Sequence, residues 1–239
     1  MPASADSVAA FLEQLNSQGA RGFRFTGGYV TDGSDQAIYR RQNGSSATYD
    51  YRLDPASDPA SDAQLMYPPF STGARVLAQA KARGAEGYQY RGSYSFPSPV
   101  GTFNVVRIYR KEQQGTASFD YELLPASTNP VDMLAQISAQ GARGFRYLSA
   151  FIFNLENGQG LENLVMYEKD TSQSASFSYL LLSAQDDVDA AMAQANAQGA
   201  EGYGLIGDYM FVNSEAKTFF VKASNCTGST CEPRTPFDF

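Results

Sequence analysis

Gly19-Ala20-Arg21-Gly22-Phe23 closes a run in which Val8, Phe11, Leu12 and Leu15 keep helical 3–4 spacing. It also opens an alternating stretch, Phe23, Phe25, Gly27, Tyr29. The same junction recurs as Gly84-Ala85-Glu86-Gly87-Tyr88, Gly141-Ala142-Arg143-Gly144-Phe145 and Gly199-Ala200-Glu201-Gly202-Tyr203. The leading glycines stand 65, 57 and 58 residues apart. Self-similarity at such a spacing is an internal repeat, and it predicts an α+β fold of four tandem units of about 60 residues. Each unit is expected to hold one helix and about three antiparallel strands, with the helices packed on one face of the sheets.

The helices read from their apolar spacing. Val76, Leu77 and Ala80 mark the second, and Val131, Leu134 and Ile137 the third. Val188, Ala191, Met192 and Ala195 mark the fourth, the richest in alanine. Asn129-Pro130 has the form of an N-cap followed by proline at the first helical position, and Asp186-Asp187 puts negative charge at a positive helix end. Gly19, Gly84, Gly141 and Gly199 fall where a helix commonly ends on a left-handed residue. Gly22, Gly87, Gly144 and Gly202 open the next strand, where a second positive φ or a close backbone approach is expected. A phosphate cradle is excluded, because that loop precedes a helix and these glycines follow one.

Three strands follow each junction. The first alternates: Phe23, Phe25, Gly27, Tyr29; Tyr88, Tyr90, Gly92, Tyr94; Phe145, Tyr147, Ser149, Phe151; Tyr203, Leu205, Gly207, Tyr209. Period 2 sets each group on one face, expected to be the one its helix covers. The second carries adjacent apolar residues, Ile38-Tyr39, Ile108-Tyr109, Met166-Tyr167 and Phe219-Phe220, consistent with burial on both faces. The third holds Tyr49-Asp50-Tyr51, Phe119-Asp120-Tyr121 and Phe177-Ser178-Tyr179, and Phe237-Asp238-Phe239 repeats the pattern in the fourth unit. The stretch from Asp54 to Asp62, polar and proline-containing, reads as a surface loop. Units one and three share Arg between the glycines, whereas units two and four share Glu. That alternation points to two pseudo-symmetric halves, residues 1–126 and 127–239.

Composition narrows the function classes. The 239 residues carry a net charge of −7 and no clustered Lys or Arg, which argues against a nucleic-acid partner. No apolar stretch approaches the roughly 20 residues of a membrane-spanning helix. Cys226 and Cys231 are separated by Thr-Gly-Ser-Thr, a spacing that closes a local disulfide, and zero His leaves too few ligands for a usual zinc site. A disulfide points to a periplasmic or secreted protein. Met1-Pro2-Ala3-Ser4-Ala5-Asp6 lacks a basic and an apolar signal region, so export implies that a signal segment has been removed.

The helix end Leu15-Asn16-Ser17-Gln18-Gly19-Ala20-Arg21-Gly22-Phe23 resembles a group of small bacterial domains of unknown function. Their hallmark is a helix ending Leu-Asn-x-x-Gly-x-Glu-Gly-Trp flanked by strands. Asn196, Gly199, Glu201 and Gly202 match it in the fourth unit, with Tyr203 in place of the Trp. The resemblance covers about 40 residues per unit and implies the order strand–helix–strand–strand. Unit one then lacks a leading strand, and Phe237–Phe239 is expected to pair beside it and close the structure.

The absence of His rules out a Ser-His-Asp triad, a Cys-His pair and any imidazole base. Carboxylates remain, and Asp50, Asp120 and Asp238 recur at the centre of the third strand, facing away from their aromatic neighbours. Recurrence suits a structural position better than an active site. Arg24 and Arg146 are expected to pair with carboxylates across strands or to stay solvated, with an anion site as the sharper reading. Tyr39, Tyr109 and Tyr167 are the candidates for an exposed, Tyr-rich binding face. The expected function is non-enzymatic: binding a partner protein or another macromolecule, or a structural role in a bacterial envelope, with no cofactor and no metal. Binding of a small ligand or carbohydrate through a Tyr/Arg crevice between the halves is the alternative, and a carboxylate-dependent hydrolase is the third reading.

Overall fold

The computed structural model describes residues 7–31, 34–56, 71–97, 103–156, 159–211, 215–228 and 230–231. Four helices of 13 residues each occur among them: α1 (Val8–Ala20), α2 (Gly73–Ala85), α3 (Pro130–Ala142) and α4 (Val188–Ala200). They alternate with strands grouped in four small antiparallel sheets, so the chain is α+β. β1 (Arg24–Thr31) and β2 (Ser34–Arg40) form a two-stranded sheet. β3 (Tyr49–Pro55), β4 (Gln89–Pro97) and β5 (Phe103–Glu112) lie in the order β3-β5-β4. β6 (Phe119–Pro125), β7 (Arg146–Asn154) and β8 (Leu161–Asp170) lie in the order β6-β8-β7. β9 (Ser176–Ser183), β10 (Gly204–Met210) and β11 (Ala216–Ser224) lie in the order β10-β11-β9.

In all three larger sheets the strand preceding a helix pairs with the second of the two strands following it. The strand–helix–strand–strand order is therefore observed for β3-α2-β4-β5, β6-α3-β7-β8 and β9-α4-β10-β11. The strand expected at Phe237–Phe239, with its pairing beside unit one, lies outside the described residues. So does Asp238, and so does most of the loop expected after Asp54. Asp54 and Ala56 are themselves buried, because β3 runs on to Pro55 and Asp54 takes a two-pronged ion pair from Arg83 (2.6 and 3.1 Å). Among the described residues the chain divides into two compact bodies, one built on residues up to Phe119 with Ile152–Glu162, the other on Asp120–Phe151 and residues 163–231.

All four helices end in one way. The amide of Phe23 donates to the Gln18 carbonyl and that of Gly22 to the Gly19 carbonyl; Tyr88, Phe145 and Tyr203 close their helices with the same pair of bonds. This is the Schellman arrangement, and its left-handed residue is the second glycine: Gly22, Gly87, Gly144 and Gly202 have φ of +81, +86, +85 and +84°. The expectation that Gly19, Gly84, Gly141 and Gly199 supply the left-handed stop is thus corrected. They sit inside the last helical turn. At Gly19 and Gly141 the reason for glycine is space, since a Cβ would run into the carbonyl of Tyr49 or of Phe177.

The strict alternation expected for the first strands is corrected as well. A register shift between Phe25 and Gly27, between Tyr90 and Gly92, and between Leu205 and Gly207 inserts one residue and resets the faces. Three of the four second strands are buried on both sides as expected, with Ile108, Tyr109, Met166, Tyr167, Phe219 and Phe220 all buried, whereas Ile38 and Tyr39 of β2 are half-buried. The two faces of β5 meet different helices, Ile108 clustering with Phe11 and Leu15 of α1 and Tyr109 reaching Gln79 of α2. On β8, Tyr167 reaches Gln136 of α3, the helix of its own strand–helix–strand–strand set. The far side of α3 is covered by Phe177 and Tyr179 of β9, in one cluster with Met133, Ile137 and Tyr147. α1 is held likewise between Phe25 of β1 and Tyr49 and Tyr51 of β3, with Phe11 and Leu15 fully buried. Burying such a side chain contributes about 1.5–3 kcal/mol, so a helix clamped on both sides needs little intrinsic propensity. α4 is the exception. It has no buried residue.

Candidate functional site

The chemistry-bearing side chains gather at a cross-strand position that changes from sheet to sheet on a scaffold that does not. It pairs the first residue of the first strand with the residue after the paired apolar residues of the second strand. Arg24 stands opposite Arg40, Gln89 opposite Arg110, and Gly204 opposite Val221. In the third instance Arg146 meets Glu168.

That last pair is the most developed. Arg146 Nη2 donates to Glu168 Oε1 at 3.0 Å, and the two side chains are 4% and 0% exposed. Tyr121 Oη donates to Glu168 Oε2 at 3.2 Å, and Arg146 Nη1 donates to the Thr230 carbonyl at 2.7 Å. The Thr230 carbonyl belongs to the loop closed by the Cys226–Cys231 disulfide. The bonds from Tyr121 and to the Thr230 carbonyl offset part of the cost of burying the pair. Its groups are held in place by one another and point into the fold. In the β3-β5-β4 sheet Arg110 Nη2 donates to Gln89 Oε1 at 3.1 Å, and its guanidinium lies 5.1 Å from the centre of the Tyr49 ring.

The expected site residues resolve as follows. Arg24 and Arg146 are buried, Arg146 against the carboxylate anticipated for it. Tyr109 and Tyr167 are fully buried and Tyr39 is half-buried, which corrects their reading as an exposed face. Tyr109 and Tyr167 grip helices. Tyr167 Oη donates to Gln136 Oε1 at 2.7 Å, and Tyr109 Oη to Gln79 Oε1 at 3.4 Å. Those glutamines precede the leading glycine of each motif by five residues, as do Gln14 and Gln194. Gln136 and Gln194 also donate to the carbonyls of Pro125 and Ser183 on the strand before their helix. Burial drives the hydroxyls of Tyr39, Tyr109 and Tyr167 well above their ordinary titration range, as it does those of Tyr147 and Tyr179. They stay neutral, and the hydroxyls of Tyr109 and Tyr167 donate to glutamines while that of Tyr179 accepts from the Tyr147 amide.

Other carboxylates are engaged too. Asp50 accepts from Gln113 Nε2 at 2.8 Å. Arg143 beside Glu122 holds that carboxyl below the usual range, with Gln140 assisting. Asp170 accepts from Ser172 and Gln173, and Asp208 from Thr218. The residue between the paired glycines, Arg21, Glu86, Arg143 or Glu201, is the C-cap of its helix. A basic side chain two residues beyond the second-strand aromatic lies over each motif ring: Arg41 on Phe23, Lys111 on Tyr88, Lys169 on Phe145, Lys222 on Tyr203. Lys111 and Lys222 also donate to the carbonyls of Glu86 and Glu201, where the helix dipole favours a cation.

Sequence reading missed Glu168, Gln89, Arg110 and the four glutamines. Aligning the four junctions would have exposed the glutamines, which recur in every instance. The cross-strand pairs leave no such trace because their identity changes each time. Among the described residues no group of three or more His, Cys, Asp or Glu is placed to hold a metal ion, and no helix is long and apolar enough to cross a membrane. Comparison of the chain with protein-family models, with curated proteins and with solved structures found no match.

Proposed function

We propose that the chain is a binding protein without catalytic activity, made of four tandem repeats and working outside the bacterial cytoplasm, where it engages a partner protein or serves the envelope. The observation that carries this reading is the use to which the polar groups are put. Glu168, Asp54, Glu122, Asp170 and Asp208 each hold a neighbouring strand, helix or turn in place. A general acid or base must instead present a perturbed, accessible group to a substrate. The Cys226–Cys231 disulfide supports an oxidising compartment.

The experiment is affinity capture with the full chain from the envelope fraction of its native organism, followed by reconstitution with the purified candidate. A stoichiometric complex measured by calorimetry supports the reading. Turnover of an ester, glycoside or peptide substrate by the pure protein, abolished by Glu168→Gln, would refute it.

A further inference from the structure

Both cysteines of the chain lie after β11, so no other unit carries such a bridge. The loop they close does more than turn the chain. Thr230, 3% exposed, brings its carbonyl to Arg146 Nη1 at 2.7 Å. Thr227 meets Gln173 of the β8–β9 turn twice, its amide donating to Oε1 at 2.8 Å and its carbonyl accepting from Nε2 at 3.2 Å. Gln173 Nε2 also donates to Asp170 Oδ2 at 2.6 Å. Asp170 ends β8 two residues after Glu168, and residues two apart on a strand share a face. The loop thus reaches the Arg146–Glu168 pair by two routes, directly through Thr230 and indirectly through Gln173 and Asp170.

Cys226 is the fixed end of that loop. It follows β11, which is paired with β9 as far as Ser224 opposite Ser176, and it packs against the buried cluster of Met133, Ile137 and Tyr147. Thr230 is the chain neighbour of Cys231. The sulfur–sulfur bond therefore ties the carbonyl on Arg146 to an anchored post.

We infer that the Cys226–Cys231 disulfide is a redox latch on the buried Arg146–Glu168 pair. Oxidised, the loop holds the Thr230 carbonyl on Arg146. Reduced, it releases that carbonyl, and water reaches a guanidinium and a carboxylate that are 4% and 0% exposed when the latch is shut. The reductant is a dithiol. One of its thiolates attacks a sulfur of the bridge, forming a mixed disulfide and expelling the other cysteine, which takes up a proton. The second thiol then displaces the remaining cysteine, so the dithiol leaves as a cyclic disulfide and the protein keeps two electrons and two protons as two thiols. Losing a charge-assisted bond to a buried cation turns this exchange into a local opening. The coupling is reciprocal: contacts that hold the loop also favour the oxidised bridge.

Hydrogen exchange followed by mass spectrometry tests the latch in the full chain before and after dithiothreitol, with thiol alkylation to confirm reduction. Reduction is expected to speed exchange of the amides around Arg146 and Glu168 about tenfold or more, while α3 keeps its protection. A chain carrying Cys226→Ser and Cys231→Ser should show the faster rates from the start and no response to dithiothreitol. Gln173→Ala supplies an independent sign. With the loop freed from the β8–β9 turn, the equilibrium with dithiothreitol should move toward the protein thiols by about fivefold or more. Exchange around Arg146 and Glu168 indifferent to reduction overturns the inference, as does an equilibrium unmoved by Gln173→Ala. A bridge that stays oxidised in excess dithiothreitol while the protein is folded overturns it as well. So does loss of α3 protection on reduction, which would make the bridge a staple of the whole body.

Discussion

The backbone carbonyl of Phe177 occupies the position that a Cβ on Gly141 would take. In an open helix, replacing that glycine by alanine would gain about 1 kcal/mol. Here the methyl group must push β9 away from α3, so Gly141→Ala is expected to lower stability by about 1–3 kcal/mol, in the range of overpacked cores. Urea unfolding checks it: the midpoint should fall at unchanged slope, and Gly19→Ala should behave alike against the Tyr49 carbonyl. A raised midpoint in either variant would mean that the strand gives way freely.

Corresponding tyrosines should differ in what their hydroxyls are worth. Tyr167 Oη holds Gln136 Oε1 at 2.7 Å, so Tyr167→Phe strands a glutamine oxygen beside the core and should cost about 1–2 kcal/mol. Tyr39 Oη is buried with no hydrogen-bond partner among the described residues, so Tyr39→Phe should change stability by less than about 0.5 kcal/mol or raise it. Thermal unfolding of the two variants side by side decides the matter, and equal losses would contradict the assignment.

The Arg146–Glu168 pair gives a sharper asymmetry. Glu168→Leu leaves a buried guanidinium uncompensated and should cost about 3–5 kcal/mol. The double change Arg146→Met with Glu168→Leu removes both charges, keeps apolar volume and should recover most of that loss, although the Thr230 carbonyl loses its donor. A double-mutant cycle in urea measures the coupling, and additive losses would show that the two side chains act independently.

How far these features could be read beforehand depends on their physical range. The helices, their Asn129 and Asp187 caps and the paired glycines follow from interactions within a few residues, and the structure has them where the spacing puts them. The reason for Gly19 and Gly141 was not legible, because the carbonyl that demands a glycine arrives from a strand about 30 to 36 residues later. The tyrosines misled for a related cause. Tyr109 and Tyr167 look like an exposed row only if each sheet has one covered face, whereas β5 and β8 are buried on both. Arg146 was legible as half of an ion pair, but Glu168 was not, since its equivalents are Arg40, Arg110 and Val221. Repetition discloses what a scaffold needs in every unit and conceals what only one unit carries.

Alkaline pH should unfold the protein steeply, and the buried tyrosines set the window. Tyr39, Tyr109, Tyr147, Tyr167 and Tyr179 have hydroxyls raised above the ordinary value of 10.0, in every case chiefly by desolvation. With the folded value above the unfolded one, the stability they represent is complete below pH 10. It is lost as pH climbs from there toward the folded values, because only the unfolded chain can release these protons. Each such tyrosine removes about 1.4 kcal/mol per pH unit in that window. Phenolate absorbance and near-ultraviolet dichroism followed together should therefore change in one cooperative step above pH 10. Smooth ionisation of all 15 tyrosines near pH 10 with the dichroism intact would show that the five hydroxyls are open to water.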